Sequence, residues 1–287
     1  MRLFIEKLRL ALLKRTGTTK NQKSYAAWIA KGYCDNPEVS VIIQSHNKSL
    51  QICHILPKLR QYPNSLEIIV IDDGSDLEHT QRLAKELTGA NEFLMRANDL
   101  YENRTYDKTI RFANGKYIVL LQDDDDFEEG AKWMTDAVEY FKKYPKMVIL
   151  GGKWALHLEM DEGRQWCHGT GDVIKEKDFA FTSSVNRAPM WIQHELYDKY
   201  LHHIDAHFAP FQYDDDEICL RAWLCGLQVG WYNAGFKSLS AGGMRLWNNS
   251  FAKEQMDRNG KLLYQMYADK AETIDRLVKE SNQTYHI

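Results

Sequence analysis

The chain has 287 residues, enough for one large domain or two ordinary ones, with 44% hydrophobic and 27% charged residues. That balance excludes a disordered chain, and a net charge of −3 argues against a general nucleic-acid binder. No apolar run is long enough to span a bilayer, and the five cysteines (34, 53, 167, 219 and 225) form no CxxC pair, so free thiols in a reducing, cytoplasmic setting are expected.

The first segment, MRLFIEKLRLALLKR, places Phe4, Ile5, Leu8, Ala11 and Leu12 at helical spacing, with Lys7 and Lys14 on another face. Glu6, Lys7 and Arg9 interrupt any signal-peptide core. The simpler expectation for this basic amphipathic helix is packing on the domain or on a second copy in a homo-oligomer. The other is peripheral contact of residues 1–15 with a membrane surface.

Strands and helices then alternate. VSVIIQ (39–44) is a continuous apolar run followed by the polar turn SHNKS and a helix from about 50 to 60. LEIIVID (66–72) is a second buried run, and DLEHTQRLAKEL (76–87) is helical with Asp76 as its N-cap. EFLMRA (92–97) is a third strand, and a helix from about 103 to 113 stops at Asn114 and Gly115. The strand KYIVLLQ runs directly into Asp123, Asp124, Asp125 and Asp126. A helix over 128–144 ends at Pro145, and MVILGG (147–152) is another strand. Beyond about residue 153 the rhythm loosens. A short helix is expected from near Ile192, a helix with an acidic first turn over 214–226, a late strand in LQVGWYNAG, and a polar helical tail from Phe251 to about Glu280.

Alternating helices and near-continuous apolar strands predict an α/β fold, a mostly parallel sheet with helices on both faces. Ligands of such sheets bind outside the carboxyl ends of the strands. Three polar clusters fall at those ends: Ser45, His46 and Asn47; Asp72 and Asp73; and the fourfold aspartate run. Adjacent carboxylates raise one another's pKa values, so the run needs water, a basic partner or a metal ion to offset that cost.

The stretches VSVIIQSHNKS, EIIVIDDGSD, ANGKYIVLLQDDDD and DDDEICLRAWLCG, in that order, resemble family 2 glycosyltransferases of the Rossmann-like GT-A fold over roughly residues 38–245. The resemblance implies transfer of a sugar from a nucleotide-diphosphate sugar to a glycan or other glycoconjugate acceptor, with inversion and with Mn²⁺ or Mg²⁺. It divides the chain into an N-terminal arm (1–37), a catalytic domain (38–250) and a tail (251–287), with a nucleotide-sugar half (38–152) and an acceptor half (153–250).

The resemblance also assigns roles. Ser45, His46 and Asn47 line the base, and Asp72 and Asp73 hold the nucleoside, although Asp73-Gly74 is also a common turn pair. For the metal-binding Asp-x-Asp motif, one register places Gln122 first, Asp123 in the middle and Asp124 last; a shift of one pairs Asp123 with Asp125. Asp124 and Asp125 are taken as metal ligands and Asp123 as a donor contact, against the plainer reading of a solvated acidic turn. The family's Arg-Asn pair is replaced by Tyr106 and Asp107, which leaves Arg104 as a candidate phosphate contact or a plain surface arginine.

In the second acidic run, Asp214 matches the acceptor-side position and Asp215 the general base; helix capping is the plainer reading. Trp191 in NRAPMWIQ is read as a sugar platform or as a core residue. A histidine that relatives place after the late strand is missing, with Ser240 in its stead, and the His202, His203 and His207 cluster lacks zinc-site spacing. Two rival readings are a non-catalytic nucleotide-sugar or glycan-binding module on the same fold, and a nucleotidyltransferase. The second lacks the glycine-rich basic loop it requires after the first strand.

Overall fold

The computed structural model describes residues 2–287 except 173, 175, 176, 188 and 240–247, and the side chains of 15, 16, 18–21 and 172 are also outside the description. After a long helix α1 (Arg2–Ala30), the strands β1 (Val39–Ser45), β2 (Leu66–Asp73), β3 (Glu92–Ala97) and β4 (Tyr117–Leu121) alternate with α2 (Ser49–Leu59), α3 (Leu77–Glu86) and α4 (Tyr101–Ile110). The order continues with β5 (Asp125–Asp126), α5 (Lys132–Lys143), β6 (Met147–Gly151), the hairpin β7 (Ala155–Asp161) and β8 (Trp166–Asp172), β9 (Phe179–Phe181), β10 (Ser184–Val185) and β11 (Met190–Gln193). The turn α6 (His194–Leu196), α7 (Asp214–Leu224), β12 (Gln228–Tyr232), β13 (Lys237–Ser238), α8 (Asn249–Tyr267) and α9 (Ala271–Thr284) complete it.

The central sheet has eight strands in the order β3-β2-β1-β4-β11-β6-β12-β9. Its first four strands are mutually parallel, β11 runs antiparallel between β4 and β6, and β9 pairs antiparallel with β12. The sequence explains why β1, β2 and β4 lie centrally: Val41–Ile43, Ile68–Ile71 and Tyr117–Leu121 are buried on both faces by the crossover helices. In register, Ser45 lies beside Asp72, and Ile43 beside Leu121. The end of β1, the end of β2 and the aspartate run after β4 therefore share one rim of the sheet.

Two expectations need correction. The segment around Ile192 is a strand before it is a helix: Met190, Trp191 and Ile192 pair on both sides, and the short helical stretch follows once Gln193 caps it by accepting a hydrogen bond from Leu196 N at 2.6 Å. A four-residue apolar run carries no period, and only the slot between β4 and β6 decides its state. Helix α1 does not pack on the domain: every described residue from Arg2 to Lys14 is exposed.

The C-terminal helices, by contrast, are part of the core. Leu263, Tyr267, Ile274 and Val278 are buried, and Asn259 Nδ2 donates to the carbonyls of Phe208, Phe211 and Gln212 at 2.9–3.0 Å.

Candidate active site

The loop after β1 folds over the aspartate run. Its His46 amide donates to Asp123 Oδ2 at 2.8 Å, and Lys48 Nζ lies 3.3 Å from Asp123 Oδ1. His46 Nδ1 is 2.8 Å from the Asp73 carbonyl, which fixes the ring against the end of β2. Asn47 and the β2 turn bond reciprocally: the Asn47 amide donates to Ser75 Oγ at 2.9 Å, and the Asp76 amide to Asn47 Oδ1 at 2.8 Å. The Ser45 hydroxyl is buried with no partner among the described residues.

The pair Asp72 and Asp73 holds the rim together. Asp72 is fully buried and accepts from the Ser75 amide and the Thr80 hydroxyl. Asp73 accepts from the amides of Leu100 and Tyr101 at 3.0 and 2.8 Å, so it caps α4 from outside the helix. Any nucleoside contact of these two residues has to use lone pairs left over from those bonds.

The four consecutive aspartates point to four surroundings. Burial raises Asp123, and Lys48 and the His46 amide counter that rise. Asp124 makes no side-chain hydrogen bond or ion pair among the described residues, and its charge acts on both Asp123 and Asp125. Asp125 is only 1% exposed and accepts from the Gln122 amide at 2.8 Å; burial pushes its carboxyl up to about 8. Burial also raises Asp126, but the hydrogen bond from Lys58 at 2.8 Å, the Phe127 amide and the Lys58 charge together outweigh it and hold the carboxyl below the usual range. The run thus divides, with Asp123 and Asp124 toward the rim, Asp125 closing its own turn and Asp126 anchored to α2.

The second acidic run stands at the start of α7. Asp214 is buried and forms an ion pair with Arg187 at 2.6 Å, so it positions that guanidinium and does not face an acceptor. Asp215 is half-buried and accepts from the Arg187 amide at 3.2 Å and the Asp216 amide at 3.1 Å. Burial raises its carboxyl, Arg187 opposes the rise and Asp214 adds to it.

Asp216 turns inward, where it accepts from the Ser184 hydroxyl; burial first and Asp215 second push it up to about 7. A carboxyl whose folded value exceeds its unfolded one stabilises the fold when protonated, and that contribution disappears as pH rises through the folded value. Urea denaturation is therefore expected to show stability falling between pH 4 and 8 by on the order of a few kcal/mol, and Asp216→Asn to flatten that slope. An unchanged slope in the variant rules this assignment out.

Glu102 joins the two runs. It lies on α4 with its carboxylate 3.3 Å from Arg187 and accepting from Gln122 Nε2 at 3.1 Å. Burial is the main cause of its rise to about 7; Arg187 opposes it, while Asp214, Asp215 and Asp123 all push it higher. One side chain thus feels both acidic clusters, although they lie far apart in the chain. Arg187 is the hub: its side chain is 3% exposed, it lies over the Tyr106 ring at 4.7 Å, and its Nε has no partner among the described residues. Lys153 adds a second cation beside Asp125, with Nζ donating to Ser238 Oγ at 2.6 Å.

Together these side chains gather carboxylates along one rim of the sheet, with the buried cation Arg187 and the partly buried Lys48 and Lys153 among them. Residues 40–170 match the model described as Glycosyl transferase family 2. That stretch is similar to family 2 glycosyltransferases. Solved structures with the same fold include S. aureus TarS 1-349 in complex with UDP-GlcNAc (14% identity, TM-score 0.58, 85% of this chain and 71% of that one). A second is the mannosyltransferase PcManGT from Pyrobaculum calidifontis in complex with GDP-Man and Mn²⁺ (13% identity, TM-score 0.53, 88% and 76%). A third is GalNAc-T7 with UDP, GalNAc and Mn²⁺ (14% identity, TM-score 0.54, 69% and 42%). At these identities the likeness is one of fold, the GT-A arrangement. The chain spans 60% of another S. aureus TarS 1-349 chain and 42% of the GalNAc-T7 chain. No curated protein matches the chain in sequence.

Around the acidic runs, two sequence-based assignments do not survive the geometry. Arg104 is exposed on α4 and makes no hydrogen bond or ion pair among the described residues; two positions from Glu102, it faces away from the cleft. Trp191 is fully buried at the centre of the sheet, its ring 5.4 Å from that of Trp133 and its Nε1 donating to Tyr232 OH at 3.2 Å, so no sugar reaches it.

Sequence reasoning missed Glu102, Arg187, Lys48 and Lys153. The signal for Arg187 was its place just before the apolar stretch MWIQ; for Lys48 it was its place at the end of the polar turn after β1. Ser240, noted in place of a histidine, lies outside the described residues. Among the described residues no group of three or more His, Cys, Asp or Glu side chains is arranged to hold a metal ion, the His202, His203 and His207 cluster included.

A separate cavity of about 760 Å³, lined by Glu38, Lys116, His194 and neighbours, lies at the amino ends of β1 and β4. It is on the opposite edge of the sheet from the acidic cleft.

Proposed function

We propose that the cleft transfers a sugar from a nucleotide-diphosphate donor to a hydroxyl of a glycan or glycoconjugate acceptor, with inversion at the anomeric carbon. The observation that supports this reading is that Glu102 links the two acidic runs: it lies 3.3 Å from Arg187, whose amide donates to Asp215, and accepts from Gln122, the residue before Asp123. Ser45, His46 and Asn47 at the end of β1, with Asp72 and Asp73 at the end of β2, form the nucleoside side. Lys48 and Lys153 supply positive charge near the diphosphate. Asp215 takes the proton of the acceptor hydroxyl as its oxygen forms the new bond to the anomeric carbon. The bond from that carbon to the phosphate oxygen breaks, and its electron pair leaves with the nucleoside diphosphate.

The hard oxygen donors of Asp124 and Asp123 suit Mg²⁺ or Mn²⁺, and Asp124 keeps its lone pairs free of protein partners among the described residues. Asp125, committed to its turn, does not fit that role. When bound, the cation supplies Lewis-acid stabilisation of the departing diphosphate. The Mn²⁺ in the PcManGT and GalNAc-T7 complexes supports the same choice here.

A thermal-shift panel of UDP- and GDP-sugars with and without Mn²⁺ tests the reading, because a ligand of the folded state raises apparent stability. One donor is expected to raise Tm in a Mn²⁺-dependent way, and Asp124→Ala to abolish the Mn²⁺-dependent part. A shift that survives Asp124→Ala removes this residue from the cation site. Donor binding with no transfer or hydrolysis under any condition points instead to a non-catalytic binding module.

A further inference from the structure

Helix α1 turns a broad apolar surface to solvent. Leu3, Phe4, Ile5, Leu8 and Leu10 are 49–68% exposed. The helix is secured to the rest of the chain at its far end: Tyr25 OH donates to Asp35 Oδ2 at 2.7 Å, the Tyr25 and Trp28 rings pack edge-on against Tyr33, and the Cys34 amide donates to Asn91 Oδ1 at 3.1 Å. The first turns project away from that hook. At 1.5 Å per residue, the 29 residues of α1 reach roughly 40 Å.

The sequence of those turns is specific in charge as well as in apolarity. Residues 1–23 contain seven Lys or Arg and one Glu, a net charge of +6, so the remaining chain carries −9 within the total of −3. Phe4, Ile5, Leu8, Ala11 and Leu12 fall within one arc of about 120° at 3.6 residues per turn. Lys7 and Lys14 flank that arc on one side, and Arg2 and Arg9 flank it on the other. Leu3 and Leu10 extend the apolar surface beyond the Lys flank.

We propose that α1 docks the protein on a bilayer surface bearing anionic lipid headgroups. The apolar arc enters the boundary between headgroups and acyl chains, and the flanking basic side chains extend upward to the phosphates. Charge selects this occupant over a second copy of the chain. Two copies paired through α1 bring two +6 segments together, whereas an anionic surface attracts the helix and repels the −9 remainder of the molecule. That opposition also orients the protein, helix toward the lipid and acidic body toward solvent. No helix among the described residues is long and apolar enough to cross a membrane, so the contact is peripheral.

The test is flotation of the full-length protein with vesicles of phosphatidylcholine alone and of phosphatidylcholine with about 30% phosphatidylglycerol, at low and high salt. The expected result is binding to the anionic vesicles, loss of that binding at high salt, and little binding to the neutral ones. Lys7→Glu with Arg9→Glu is expected to lower partitioning at least tenfold, and Phe4→Glu with Leu8→Glu to abolish it, since each basic residue and each buried methylene adds to the affinity. Neither pair is expected to change the thermal shift produced by donor, which separates this inference from the proposed activity.

Absence of binding to anionic vesicles at low salt overturns the proposal. So does equal binding to neutral vesicles. Light scattering that shows a dimer which Phe4→Glu with Leu8→Glu dissociates assigns the helix to a second copy instead.

Discussion

Asp215→Asn is expected to lower the rate of sugar transfer by about 10²–10⁴-fold, the range of a lost general base, while leaving donor binding almost unchanged. The amide that replaces the carboxylate keeps an oxygen to accept from the Arg187 or Asp216 amide but has no basic oxygen to take a proton. In the proposed reaction Asp215 is the base; it stands at the start of α7, and its two contacts come from backbone amides that the substitution leaves in place. The loss should therefore fall on kcat, with the thermal shift on donor binding preserved.

The wild-type pH profile gives a second readout of the same group. Burial raises the Asp215 carboxyl, so the acidic limb of the profile should lie above the ordinary carboxylate range of about 4. Activity should rise as pH climbs through that limb, because the base works only when deprotonated. Quench-flow or product assays over about pH 4 to 8 measure both. Unchanged turnover in Asp215→Asn removes the residue from the mechanism, and transfer that already reaches its plateau at about pH 4 contradicts the raised carboxyl.

Much of this architecture was legible in the sequence, for a physical reason. Strands buried on both faces must be apolar throughout, and Val41–Ile43, Ile68–Ile71 and Tyr117–Leu121 are; the polar residues that follow each run then have to fall on one rim. The two acidic runs were legible because a buried chain does not gather carboxylates without a reason. What stayed hidden depends on tertiary partners. Whether MWIQ is strand or helix depends on a slot between β4 and β6 that lies far away in sequence. Glu102 and Arg104 look alike as polar residues of α4, and only the phase of the helix against the sheet sends one into the cleft and the other to solvent. Arg187 draws its meaning from Glu102, 85 residues earlier, and Asp214, 27 residues later. The spacing of α1 disclosed an apolar arc, but no periodicity states whether such an arc is covered.

Arg187→Met is expected to be the most damaging single change in the cleft, destabilising the fold by about 3–5 kcal/mol in urea denaturation. The guanidinium is the buried counter-charge of Asp214, contacts Glu102 and lies over Tyr106. Removing it leaves a desolvated carboxylate with no cation, and that uncompensated charge accounts for most of the cost. Arg187→Lys should recover only part of the loss, because one ammonium does not reproduce two hydrogen-bonding directions to Asp214 and Glu102. The informative variant is Arg187→Met combined with Asp214→Leu, which removes the pair together and is expected to restore stability to within about 1–2 kcal/mol of the wild type. Activity should not return with it. Glu102 then loses the cation that opposes its rise and becomes neutral over more of the pH range, and Asp215 loses the neighbouring cation that favours its charged form. Recovery of both stability and transfer in the double variant means the guanidinium serves the fold alone. Recovery of stability with transfer still lowered, and with the acidic limb of the residual activity displaced, makes it the residue that sets the charge state of the cleft.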